Sequence, residues 1–335
     1  MTDLPANAGH HMAREIAEAP GVFATSAAQP VDLPDLTGLR ALYTVARGSS
    51  DAAANILAYE IMRETGLPVT SLPPSVFSLG RGVRLTDSAV LVVSQSGASD
   101  DLVRSAKGAK AAGATVIALT NAPASPVEAA SDLTLRIGAG EELAVPATKS
   151  VVGAIAGGMA LLSALVPGYA PRAAASSRAI DALQDKTLPQ TRAVLAALLR
   201  ASHVYVIGRD TGFGAAQELA LKLKECCALH AEAYSSSEVL HGPLQLVTNP
   251  LLILILDTEA PDLQDSLNTA EARFRAAGGT VFRLRASDVG ATGLTPAAAA
   301  AALLVLTYPL ALQAALALGH DPDHPATLSK VTQTR

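Results

Sequence analysis

Continuous apolar runs alternate along this chain with longer segments of helical period, and no other feature restricts the fold as strongly. ALYTVA (41–46) precedes SDAAANILAYEIMRET, AVLVVS (89–94) precedes SDDLVRSAKGAKAAG, TVIALTN (115–121) precedes SPVEAAS, and LTLRIG (133–138) leads into TKSVVGAIAGGMALLSALV. Strands that are apolar throughout need cover on both faces, which is the signature of parallel sheets with helices above and below. The pattern restarts after PGYAPRAAASSRAI, with HVYVIG (203–208), LLILIL (251–256) and TVFRLR (280–285) each followed or preceded by helical segments. The opening helices of the two halves, ARGSSDAAANILAYEIMRE and IGRDTGFGAAQELALKLKE, compare directly. The expected fold class is α/β, with two tandem units, each a parallel sheet flanked by helices in three αβα layers. The expected boundaries are an N-terminal helical segment at 1–24, units at 25–167 and 191–320 joined by a linker helix at 168–190, and a tail at 321–335.

Residues 296 to 318, PAAAAAALLVLTYPLALQAALAL, approach the length of a membrane span. Thr307, Tyr308, Pro309 and Gln313 interrupt the run, so it reads as a short buried strand ending near Leu306 and a buried helix starting at Pro309, where proline suits a first turn. No membrane partner is expected. A net charge of -5 gives no electrostatic footprint for nucleic acid. The only cysteines, Cys226 and Cys227, are neighbours whose side chains diverge on a helix, which disfavours a disulfide between them and fits a reducing cytoplasm. The first twenty residues contain no apolar core of signal-peptide type. His10 and His11 read as incidental.

In open α/β sheets, ligands bind outside the carboxyl ends of the strands. The first half offers RGSSD (47–51) and SQSGASDD (94–101) there. Ser94, Ser96 and Ser99 around Gly97, just before a helix, supply hydroxyls and free N–H groups that suit an anion, though the same residues also make ordinary turns and caps. The matching turn of the second half, DTEAPDLQD, is rich in carboxylates and would repel a phosphate. A phosphorylated ligand is therefore expected to place its phosphate in the first half. Glu218, Lys222 and Glu225 fall on one helical face, spaced by four and three residues, beside a core face of Leu219, Leu223 and the cysteines. They form either a solvated stripe or a set of partly buried carboxylates able to exchange protons near neutral pH. The Cys and His positions lack zinc-ligand spacing, so no metal is expected. His241 lies in a Gly-Pro turn.

The combination resembles the sugar isomerase (SIS) family, specifically the isomerase half of glucosamine-6-phosphate synthase, over nearly the whole chain. MAREIAEAP, ARGSSDAA, SQSGASDDL, AVPATKS, LALKLKECCALHAEAYSSSEVLHGPL and DPDHPATLSKVTQT match its motifs in order. The resemblance implies aldose–ketose chemistry, with Glu225 as the base that moves a proton between C1 and C2. It implies His241 as the ring-opening residue, supplied by the partner of a homodimer with shared sites. Lys222 matches a site lysine, and Lys330 the lysine of a tail that covers the substrate. Ser94, Gln95, Ser96 and Ser99 match the phosphate loop, with Gly48, Ser49 and Ser50 beside it, and Val145 and Thr148 match substrate-wall positions.

Ala147 stands where the family has serine, and Ser99 where it has threonine. The chain carries no glutaminase-type cysteine among its two. The pattern resembles stand-alone SIS-type glucosamine-6-phosphate deaminases, which implies release of ammonia to give fructose-6-phosphate with no metal or organic cofactor. The alternatives are a phosphosugar isomerase or fructosamine-phosphate deglycase, and a non-catalytic sugar-phosphate sensor.

Overall fold

The computed structural model describes residues 4–330. Helix α1 (His10–Ala27) precedes a first unit of β1 (Ala41–Val45), α2 (Ser49–Thr65), β2 (Val69–Ser71), α3 (Ser75–Ser78), β3 (Ser88–Ser94), α4 (Asp100–Ala111), β4 (Thr115–Thr120), α5 (Pro126–Ala129), β5 (Leu133–Arg136) and α6 (Lys149–Leu165). Helices α7 (Tyr169–Asp181) and α8 (Thr191–Leu198) follow. The second unit is β6 (His203–Gly208), α9 (Thr211–Cys227), β7 (His230–Ser235), β8 (Leu252–Asp257), α10 (Gln264–Ala276), β9 (Thr280–Arg285) and α11 (Pro296–Ala317).

The first sheet has the order β2-β1-β3-β4-β5 and the second β7-β6-β8-β9. Every pairing in both is parallel. The central strands β3 and β8 are buried at every position, as uniformly apolar runs require. One continuous core, including Ile56, Leu57, Leu219 and Leu303, fills the space shared by the two units. Separate clusters cover the outer face of each sheet, Val90, Val92 and Ala106 in the first and Tyr205, Ile253 and Phe274 in the second. The expected pair of three-layer α/β units is present.

Helices α2 and α9 join the units. Asn55 Nδ2 donates to Gln217 Oε1 across this contact at 2.8 Å. A Cβ on Gly214 would lie 2.5 Å from Ile56, so only glycine permits this approach. Both helices leave the same backbone turn, at Gly48 (φ 54, ψ -129) and Asp210 (φ 55, ψ -131). Glycine adopts that conformation freely. At Asp210 the side chain offsets part of the strain by accepting from Thr211 N–H at 2.7 Å. The inner end of α2 is tied down by Glu60, which accepts from Tyr169 Oη at 2.8 Å and from Ala297 N–H at the start of α11 at 3.2 Å. Burial pushes Glu60 up to about 7, against the pull of the Tyr169 bond.

Two readings of the sequence are corrected. The segment 296–317 is a single helix, not a strand followed by a helix, and Pro309 lies inside it. Six consecutive alanines at 297–302 are strong helix formers and poor at filling a pleated sheet, which decides the first half of the segment. Thr295 is the N-cap, accepting from Ala298 N–H at 3.4 Å, and Pro296 occupies the first turn. This helix, of mean hydropathy 1.8, is 78% buried in the protein over its most apolar window and serves as a core helix. The sequence reading also omitted the edge strands β2 and β7. β2 has only three residues, and β7 (HAEAYS) is polar and half-exposed along most of its length, so neither forms an apolar run.

Candidate active site

The carboxyl ends of β1 and β3 open into a cavity of about 540 Å³. Three helix N-termini converge on it, those of α2, α4 and α6, through Ser49 and Ser50, the α4 N-cap Ser99, and Ala147 just before the α6 N-cap Thr148. The starts of α2 and α4 bring partial positive charge to the cavity, which favours an anion on that side, whereas at α6 the N–H groups of Thr148 and Ser150 already donate to the buried Glu142, each at 3.0 Å.

The loop 94–99 has a built geometry. Ser94, nearly buried, accepts from Gly97 N–H at 3.0 Å, and Ser96 accepts from Ala98 N–H at 3.4 Å. Gly97 has φ +60, and a Cβ there would sit 2.2 Å from Ser125 Oγ. Ser99 makes no side-chain capping bond to α4. The corresponding turn of the second unit lines a separate cavity of about 400 Å³ with the carboxylates Glu259 and Asp262. Its Asp257 is buried and accepts from both Arg283 Nε and Arg285 Nε at 2.9 Å, which hold its carboxyl below the usual range despite burial.

Glu225, in the last turn of α9, reaches the same cavity and is a quarter exposed. Behind it Lys222 is fully buried and donates to Glu225, with Glu218 Oε1 3.6 Å away. Burial works against the charge of Lys222, but the carboxylates of Glu218 and Glu225 outweigh it and raise its pKa. Glu218 is also fully buried and accepts from Tyr308 Oη at 3.2 Å. Burial pushes it up to about 7, while the Lys222 ammonium acts in the opposite direction. The two cysteines beside them are buried, and desolvation pushes both thiols up to about 12, so neither is an activated nucleophile.

Of the residues expected at the site, Gly48, Ser49, Ser50, Ser94, Gln95, Ser96, Ser99, Val145, Glu225 and Lys330 line this one cavity. Lys222 stands behind Glu225. Thr148 is buried at the head of α6, its N–H donating to Glu142 at 3.0 Å. His241 is exposed, at the end of a 3₁₀ turn Glu238–His241, and does not line the cavity. The serine run before it is structural: Arg209 Nη1 donates to Ser235 at 2.8 Å and also to Ser237, and Ser236 bonds to Ser266 at 2.7 Å. Among the described residues no group of three or more His, Cys, Asp or Glu is placed to hold a metal ion.

Ala147, singled out as standing where the family has serine, lines the wall, and sequence reasoning missed Arg47 and the tail residue Leu328 there. It also missed Glu142, which stands behind that wall. Arg47 had a signal, a cation directly after a strand and before a glycine. In the structure its Nε donates to the buried Asp101 at 3.0 Å, which neutralises an acid in the first turn of α4. The tail reaches the cavity as Leu328, Ser329 and Lys330; the rest of the expected cover, 331–335, lies outside the described residues.

The SIS domain family model matches residues 35–164 and 197–284. The chain is 31% identical, over 96% of its length, to a glutamine–fructose-6-phosphate aminotransferase (isomerizing) of Pyrobaculum aerophilum, and it spans 57% of that protein. Among solved structures, a Silicibacter pomeroyi DSS-3 protein provisionally assigned as a phosphosugar isomerase is 33% identical with a TM-score of 0.80, covering 93% of this chain and 99% of that one. Glucosamine-6-phosphate deaminase of Thermotoga maritima shares the fold at 20% identity and a TM-score of 0.74, over 97% of this chain and 100% of its own.

Proposed function

This chain belongs to the SIS domain family, and on that premise we propose that it catalyses aldose–ketose proton transfer on a phosphorylated sugar, specifically the deamination of glucosamine-6-phosphate to fructose-6-phosphate and ammonia. The observation that carries the reading is the placement of one carboxylate, Glu225, on the wall of a cavity otherwise ringed by serine hydroxyls and three helix N-termini. A phosphate suits the serine loop and a proton-transfer base suits the opposite wall. The similarity to a protein named for both fructose-6-phosphate amino transfer and isomerisation supports an amino-sugar phosphate over a neutral one.

In this reading the sugar opens to its aldehyde. Glu225 takes the C2 proton to give a 1,2-enolamine and returns it to C1, leaving an imine at C2. Water adds to that imine and expels ammonia, so one amino sugar and one water give one ketose and one ammonia. Lys222, which donates to Glu225, keeps it oriented. The test is a coupled ammonia-release assay across amino-sugar phosphates, run beside an isomerase assay on neutral aldose and ketose phosphates, without added metal. Ammonia from glucosamine-6-phosphate is the expected result. Interconversion of a neutral ketose phosphate with its aldose, and no ammonia, overturns the deaminase reading and leaves the isomerase one.

His241 lies away from the cavity of its own chain, and we assign it to the ring-opening step in the site of a second copy. Mixing Glu225→Gln with His241→Asn protein under conditions of subunit exchange then restores one intact site per heterodimer. A mixture that stays inactive after exchange is demonstrated rules this assignment out.

A further inference from the structure

Arg47 lies between β1 and α2, and its half-exposed side chain forms part of the cavity wall. One edge of its guanidinium is anchored: Nε donates to Asp101 Oδ2 at 3.0 Å, and Nη2 lies 3.0 Å from the same oxygen. Asp101 is fully buried, and its other oxygen accepts from Leu102 N–H at 2.9 Å, so the anchor is itself fixed. Because Asp101 comes two residues after Ser99, the anchor holds the guanidinium beside the serine loop. Nη1 has no hydrogen-bond partner among the described residues.

The second unit carries an arginine at the same place. Arg209 directly precedes Asp210 as Arg47 precedes Gly48, the two residues that share one backbone conformation. Nη1 of Arg209 donates to the hydroxyl of Ser235 at 2.8 Å and to that of Ser237. The same atom of Arg47 finds no such oxygen in its own unit, where its side chain borders the cavity instead.

The charges around the serine loop also call for a cation. Acids occupy the first turns of both helices that begin there, Asp51 in α2 and Asp100 and Asp101 in α4. Asp100 is paired with Arg104 at 2.8 Å. Burial pushes the Asp51 carboxyl up, and the charge of Arg47 acts in the opposite direction. Lys330, the other basic residue on the wall, donates to the buried Glu142 at 3.1 Å and to the carbonyl of Ala144 at 2.6 Å. Without Arg47, a phosphate at the loop would meet these carboxylates with only the helix N-termini and hydroxyls in its favour.

We propose that Arg47 binds the phosphate of the substrate directly, through the edge of the guanidinium that Asp101 leaves free. The proposal rests on the reading that this cavity takes a sugar phosphate. A guanidinium is a planar fork, so it can donate to a carboxylate along one edge and to phosphate oxygens along another. A lysine ammonium is a point charge without that geometry. Arg47 then makes the cavity selective for phosphorylated over free sugars.

The test is calorimetric titration of the full chain with fructose-6-phosphate. Arg47→Met weakens binding by about tenfold to a hundredfold, the loss expected of one charge-assisted contact, and Arg47→Lys recovers little of it. Inorganic phosphate, used as a competitor, loses affinity in the same proportion, because the contact is to phosphate and not to the sugar. In turnover the loss appears mainly as a higher KM. A role confined to neutralising Asp101 has a different outcome: Arg47→Met/Asp101→Asn, which removes both charges, would bind as wild type does. The proposal requires that double variant to remain weaker by about tenfold or more. If Arg47→Met does not fold with Asp101 left unpaired in the interior, the double variant decides alone. Wild-type affinity in either variant overturns the proposal and leaves the sugar-phosphate reading standing. If wild type itself binds neither fructose-6-phosphate nor inorganic phosphate, that reading fails and the proposal with it.

Discussion

Replacing Glu225 with glutamine leaves sugar-phosphate binding intact and lowers turnover by about 10²-fold or more, the loss expected on removing a general base. Glutamine has the shape of glutamate and can still accept a hydrogen bond from Lys222, so the wall of the cavity keeps its form. The serine loop and the helix N-termini that suit the phosphate are on other elements and are untouched. What disappears is the basic oxygen on the one carboxylate that reaches the cavity from α9. Calorimetric titration with fructose-6-phosphate beside a turnover assay separates the two effects. Turnover close to that of wild type would remove Glu225 from the proposed role, and loss of binding would mean that the substitution acts through structure.

The parallel sheets were legible because buried parallel strands must be apolar at every position, and β3 and β8 are. The edge strands β2 and β7 were not: β2 has only three residues, and β7 pairs on one side only, where its polar residues suffice without an apolar run. The break in the last helix was misread at Pro309, where a helix-interior proline, tolerated inside a packed core, carries the same letter as a helix start. The serine-lined side of the cavity could be read from serine and glycine spacing, because the turn and the residues that line the cavity lie in one short segment. Glu142 could not: its meaning comes from Lys330, 188 residues away, and from its burial behind the wall. Glu218 was visible as part of a helical stripe, but sequence spacing does not say that both it and Lys222 are fully buried while Glu225 is open to the cavity.

That burial gives the largest effect on stability. Lys222→Met removes the cation between Glu218 and Glu225 and leaves two carboxylates facing an apolar side chain, one of them fully buried. Removing one partner of a buried ion pair costs about 3–5 kcal/mol, because the remaining charge keeps its desolvation penalty. The loss depends on pH in a defined direction. Glu218 has a folded-state pKa of about 7 against an ordinary value of 4.5. The folded state thus holds this proton more tightly than the unfolded one, so the stability contributed by the group is complete below about pH 4.5 and declines as pH rises through about 7. Lys222 restrains that decline by favouring the ionised form. Without it the folded value rises further, and the decline extends to higher pH. Denaturant unfolding of the variant should therefore show a deficit that is larger at pH 8 than at pH 5.5, with turnover also lost as Glu225 loses its buried partner. A deficit below about 1 kcal/mol, or one equal at both pH values, would show that Lys222 does not restrain proton uptake by Glu218.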